Sequence, residues 1–205
     1  YISGWHQGRD KKFRIVGPKG TKEFFQNMLK AFKNELQGRV QWEQRPNKGG
    51  LDYEITEINS DYAYKNLHLQ IIPFEVDHYP VEPAYGYQIK VSDTEIEKKV
   101  VISGDTRKNE NLINHAMDAD ALVHEVFINL EFDENRMSKK TISNVRDYHT
   151  SPKEIGEIAK AANVKKLILT HFVPPVFDED FLTKEIRDSY KGNVIIGEDL
   201  LTIEI

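Results

Sequence analysis

Cysteine is absent from these 205 residues, which excludes disulfides, thiolate nucleophiles and cysteine-ligated zinc. The absence fits a reducing compartment, so a cytoplasmic location is the expectation. A basic excess is missing too. Against 33 Asp and Glu stand 28 Lys and Arg, for a net charge of -5, which is not the footprint of a strong nucleic-acid binder. The lysine pairs Lys11 and Lys12, Lys139 and Lys140, and Lys165 and Lys166 read as solvated faces. No apolar run approaches the roughly 20 residues of a membrane span, so no membrane partner is expected. Neither a signal peptide, an internal repeat, a low-complexity tract nor an interdomain linker is visible. The chain opens Tyr1-Ile-Ser-Gly-Trp5 with no initiator methionine and reads as one cut inside a domain.

The length suits one domain with a substantial core, and residues 1–205 are read as a single, partial one. Lys12 to Val16 reads as a strand closed by the turn Gly17-Pro-Lys-Gly20. Thr21 is then the expected N-cap of a helix whose stripe Phe24, Phe25, Met28, Leu29 and Phe32 belongs in the core. Gln44 to Leu51 is a loop. Tyr53 to Ile58, Asn66 to Phe74 and Tyr85 to Val91 read as sequential strands.

From Val100 the rhythm changes. Strands are expected at Val100–Ser103, Ala121–Val123, Lys165–Thr170, Val194–Ile196 and Leu201–Ile205. A helix over Asn109–Met117 buries Leu112, Ile113 and Ala116. Ser151-Pro-Lys-Glu154 is a capping box with proline at the first helical position, opening a helix that buries Ile155, Ile158, Ala159 and Ala162. Strands alternating with helices predict the α/β class with parallel pairing.

The ionisable residues then fall in register. Asp105, the pair His124-Glu125, and His171 each follow one of three consecutive strands, and ligands bind at the carboxyl ends of strands in an open α/β sheet. His149 lies two residues before Ser151, just outside a helix N-terminus that favours negative charge. Each residue alone could be a turn or an element end; four on one edge point to a site. His6, His68 and His115 have no such placement and are read as structural or solvated. For His78, in "VDHYPVEPAYGYQIK", the local sequence leaves a structural ring and a metal ligand both open. Imidazole and carboxylate ligands suit zinc, with manganese or iron as substitutes. The chemistry expected is metal-assisted hydrolysis of a phosphate or sulfate ester, with a histidine protonating the leaving group.

The series "DHYPVEPAYGYQIK", "VVISGDTRKNENLINHAMDADALVHEVF" and "YHTSPKEIGEIAKAANVKKLILTHF", with "VGPKGTKEFF" upstream, resembles the metallo-β-lactamase-fold hydrolases of the ribonuclease Z and arylsulfatase-like group. The resemblance implies a four-layer αββα sandwich, here N-terminally incomplete. It implies metal ligation by His78, by Asp105 as the bridging carboxylate, and by His171. It makes His149 catalytic and sets His124 and Glu125 in the family's "HEAT"-like motif, here "HEVF", with Glu125 orienting His149 or His171. It further implies two zinc ions in the complete protein. The family's H-x-H-x-D-H string, which supplies most of the ligands, does not occur in these residues. Weak or partial metal occupancy and little activity are therefore expected of this chain alone, as is dimerisation or aggregation through uncovered sheet. Only about ten residues join the "GY" and "GDT" strands, too few for a tRNA-gripping arm. That sets a small sulfate or phosphate ester ahead of tRNA 3′-end processing, with a non-catalytic half-domain scaffold as the remaining reading.

Overall fold

A computed structural model describes residues 1–58, 62–93, 96–128 and 137–205. The chain divides into two units, Tyr1–Asp61 and Tyr62–Ile205. The first holds α1 (Ile2–His6), β1 (Phe13–Gly17), α2 (Thr21–Ala31), α3 (Lys33–Glu43), a 3-10 turn at Lys48–Leu51 and β2 (Tyr53–Glu57). β1 and β2 pair in parallel as a two-stranded sheet, Phe13 opposite Tyr53. Its core is aromatic: the Phe25 ring meets Tyr1 at 5.1 Å and Tyr53 at 4.9 Å, both edge-on, a geometry aromatic quadrupoles favour. Of the stripe expected on α2, only Phe25 is buried, and Phe24 is 72% exposed. A two-stranded ribbon is too narrow to cover more than one row of a helix. Gly20, at φ 99°, occupies the cap position expected of Thr21, whose hydroxyl donates to the Pro18 carbonyl at 2.6 Å.

The second unit is built on one seven-stranded sheet. Its strands are β3 (Tyr64–Lys65), β4 (Leu69–Val76), β5 (Ala84–Ser92), β6 (Glu97–Ile102), β7 (Ala121–Phe127), β8 (Lys166–Val173) and β9 (Asn193–Ile196), in that spatial order. β3 to β6 pair antiparallel and β6 to β9 parallel. A parallel step needs a crossover. Here the crossovers carry α4 (Glu110–Ala116), then α5 (Lys139–Asp147) with α6 (Pro152–Ala161), then α7 (Glu179–Arg187). Leu112 and Ala116 of α4, Ile155 and Ile158 of α6, and Leu182 and Ile186 of α7 pack into one core with Val101, Leu122, Leu167 and Leu169 of the strands. Each Val, Leu or Ile among these contributes about 1.5–3 kcal/mol of burial.

The capping box forms as expected: the Ser151 hydroxyl accepts from Glu154 N–H while the Glu154 carboxylate accepts from Ser151 N–H. Two strands outrun expectation, β7 to Phe127 and β8 to Val173, so His124, Glu125 and His171 lie inside strands rather than beyond them. The strand expected over 201–205 does not form. Pairing with β8 ends where Gly197 N–H donates to the Leu169 carbonyl, and the acidic pair Glu198 and Asp199 then leads the chain off the sheet. No helix among the described residues is long and apolar enough to cross a membrane.

Candidate metal and proton-transfer site

Glu125 is the centre of the arrangement. It lies on β7 with a side chain 1% exposed, and one carboxylate oxygen, Oε1, accepts from the backbone N–H of Thr150 at 3.0 Å and of Thr106 at 3.3 Å. One buried carboxylate thus ties together the segment after β6 and the segment after α5. The other oxygen, Oε2, stands 3.2 Å from His149 Nδ1. The two atoms are close, yet neither completes an aligned hydrogen bond. An unsatisfied buried pair of this kind is costly unless an ion or a proton resolves it.

Each remaining group has its own local cause. Gly104, at φ 63°, makes the sharp turn out of β6; a Cβ there would meet the Tyr85 carbonyl oxygen at 2.6 Å. Asp105 follows directly. β8 carries a bulge where Glu125 pairs with Thr170 but Val126 pairs with Phe172, so the skipped residue is His171. Its φ is +46°, a left-handed conformation sparsely populated by non-glycine residues and concentrated at functional sites. A bulge re-aims a side chain, and His171 Nδ1 comes within 3.6 Å of Asp105 Oδ1. His149 sits in the short link between α5 and the Ser151 cap.

His78 lies just past β4, with Nδ1 at 2.9 Å from the Tyr148 carbonyl. With Nδ1–H as the donor, Nε2 keeps its lone pair for a ligand. The His78 and His149 rings are 5.2 Å apart and the His149 and His171 rings 5.7 Å. Glu125, His149 and His171 each offer one ligand atom within 4.8 Å of the others, close enough to hold one ion.

The structure therefore brings together His78, Asp105, Glu125, His149 and His171. It does not bring His124 with them. Successive side chains of a strand point to opposite faces, and His124, fully buried, has Nδ1 2.6 Å from the Glu125 carbonyl. Burial lowers its pKa, opposed more weakly by Glu125.

Sequence reasoning did not single out Thr106, Thr150, Tyr148 or Arg107. Arg107 donates to Asp77 Oδ1 at 2.8 Å and to Asp147 Oδ2 at 2.9 Å, clasping the neighbours of His78 and Tyr148. Asp147 foremost, then Asp77, raises the guanidinium's pKa. The signal was there in part, since Thr106-Arg107 directly follows the aspartate of "SGDT".

No family model matches the chain. Its sequence is 29% identical over 193 residues to ribonuclease Z of Mycobacterium bovis (strain BCG / Pasteur 1173P2), covering 93% of this chain and 66% of that protein. It is 31% identical over 193 residues to ribonuclease Z of Mycolicibacterium gilvum, covering 93% and 65%. The chain thus spans a little under two thirds of the length of these relatives. Among solved structures it superposes on human tRNase Z, short form, with a TM-score of 0.59 and 18% identity over 95% of this chain and 68% of that one. It also superposes on the metallo-β-lactamase fold protein YhfI from Bacillus subtilis, with a TM-score of 0.55 and 23% identity over 78% and 60%.

Proposed function

For a chain of the metallo-β-lactamase fold whose sequence groups with ribonuclease Z, we propose that the whole protein is a metal-dependent phosphodiesterase that cleaves RNA at the 3′ end of a tRNA precursor. The observation that carries the reading is the meeting of His78, Asp105, Glu125, His149 and His171 at one end of the sheet. The named relatives reverse the order expected from sequence, in which a small sulfate or phosphate ester led and tRNA followed. β5 and β6 are joined by a connection of only four residues, 93–96, so an RNA grip has to come from elsewhere in the protein.

The residues fit a divalent ion. Among the described residues Glu125, His149 and His171 offer ligand atoms close enough for one divalent ion. Asp105 beside His171 and His78 beside His149 add a carboxylate and an imidazole of the kinds that suit zinc, manganese or iron. Glu125 Oε2 and His149 Nδ1 face each other at 3.2 Å without an aligned hydrogen bond. A bound ion would supply hydroxide at neutral pH by lowering the pKa of its water to about 7. The chain's own residues do the rest. His78 is oriented by Tyr148. Glu125 sets the Nδ1 side of His149, and His149 gives a proton to the oxygen that leaves as the P–O bond breaks. The cluster argues against a purely structural half-domain, which has no use for three histidines and two carboxylates gathered at one end of the sheet.

The test is a precursor-tRNA transcript with a 3′ trailer, incubated with the full-length protein and zinc or manganese. Cleavage is expected, falling about 10²- to 10³-fold in His149→Ala with unchanged circular dichroism. A protein that hydrolyses a chromogenic sulfate ester but leaves the transcript intact would restore the small-ester reading.

A further inference from the structure

A cleft of about 740 Å³ opens beside His149, lined also by Arg107, Lys108, Arg146, Asp147, Lys153 and the acidic residues of α6. Four of its side chains are cationic, in a chain of net charge -5. The carboxylates in the lining are already engaged. Asp147 is held by Arg107, Glu157 by Lys108 at 2.7 Å, and Glu154 by the Ser151 hydroxyl and N–H.

Arg146 and Lys153 remain. Among the described residues neither has a carboxylate within ion-pair distance, and Lys153 reaches Glu157 only as a weaker, longer-range charge. The Arg146 guanidinium stands 5.7 Å over the Phe127 ring, a contact that holds it without neutralising it. Both side chains are exposed, and they bracket His149 three residues before and four after it. His149 itself is 9% exposed, its Nδ1 turned to Glu125 Oε2 at 3.2 Å. Two cations with no carboxylate at ion-pair distance among the described residues share a cleft with a buried histidine, an arrangement that matches an anion continuing past the reacting group.

We infer that Arg146 and Lys153 form a phosphate-binding subsite that holds the RNA backbone next to the scissile bond. This rests on the RNA-cleaving reading and adds where the strand lies. Arg146 grips a phosphate through its planar fork, and Lys153 acts as a point charge. Such contacts place the strand without reading its sequence.

The probe is a fluorescein-labelled RNA minihelix with a 3′ trailer, its binding to the full-length protein followed by anisotropy between 50 and 200 mM salt. Those two concentrations are about the span over which phosphate contacts are normally resolved. For Arg146→Glu with Lys153→Glu, the affinity is expected to fall by about tenfold or more at the lower salt. The log–log salt slope should flatten by about 1.5, since each lost contact removes roughly 0.7–0.9. Turnover of bis(4-nitrophenyl) phosphate, whose single phosphate would sit at the reacting centre, should change much less than minihelix affinity. Unchanged affinity and slope, a parallel loss of small-diester turnover, or no minihelix binding by the wild type would each overturn the subsite. Minihelix binding that responds to both substitutions without cleavage of the transcript would uphold it while removing the nuclease reading.

Discussion

At the residue scale, Glu125 does two jobs with two oxygens. Oε1 fixes Thr106 and Thr150, and Oε2 faces His149. Glu125→Gln separates them. The amide oxygen keeps both backbone donors, so the fold survives with the same volume, but the amide N–H then points at His149 Nδ1 and selects the other tautomer. Turnover of the full-length protein should fall about 10²-fold, within the usual range for a misdirected acid. The urea midpoint should move little. A variant with full activity would free Glu125 of any role beyond packing. Of these groups the sequence showed Glu125 and His149 as candidates. It did not show Thr106 and Thr150, because nothing in a lone threonine reveals that its backbone N–H will meet a carboxylate 19 or 25 residues distant.

At the element scale, α6 has to pack tightly for the Ser151 cap and His149 to sit where they do. Gly156 on α6 faces the end of α7: a Cβ there would lie 2.5 Å from the Ile186 carbonyl oxygen and 3.2 Å from its carbon. Alanine gains about 1 kcal/mol of helix propensity over glycine. Overpacking against backbone costs about 1–3 kcal/mol, and backbone yields less readily than a side chain. Gly156→Ala should therefore destabilise the protein, seen as a lower urea midpoint at constant m-value; a raised midpoint would show that α7 simply moves aside. The helix itself was legible from its capping box and its 3.6-residue apolar period. The bulge that aims His171 was not, since a bulge is a relation between two strands.

At the scale of the whole molecule, stability should depend on pH through His115. Its ring stacks on Phe74 at 4.1 Å, with Nδ1 3.2 Å from Gln88 Oε1. Burial, and after it the charge of Lys99, lowers its pKa. The unfolded chain, with an ordinary histidine pKa near 6.5, then binds more protons than the folded one below that pH. Stability from this source is complete above about 6.5 and is lost as pH falls toward the lowered folded-state value. Urea midpoints measured from pH 7.5 to 5 should drop with acid, and His115→Phe, which keeps the stack, should drop less. His124, also lowered by burial, leaves a residual slope. Equal slopes in the two proteins would remove His115 from the account.

The sequence by itself determined the period of its strands and helices, the parallel half of the sheet, and the side chains able to ligate a metal or move a proton, because apolar spacing and residue chemistry are local properties. It also tied Asp105, Glu125 and His171 to three consecutive strands, although Glu125 and His171 proved to lie within β7 and β8 rather than past their ends. Only the tertiary structure decided which of these groups meet. Strand alternation set His124 aside, the bulge turned His171, and Glu125 joined two loops that are remote along the chain. Which side chains converge depends on register and crossover, and those are fixed by packing between distant segments.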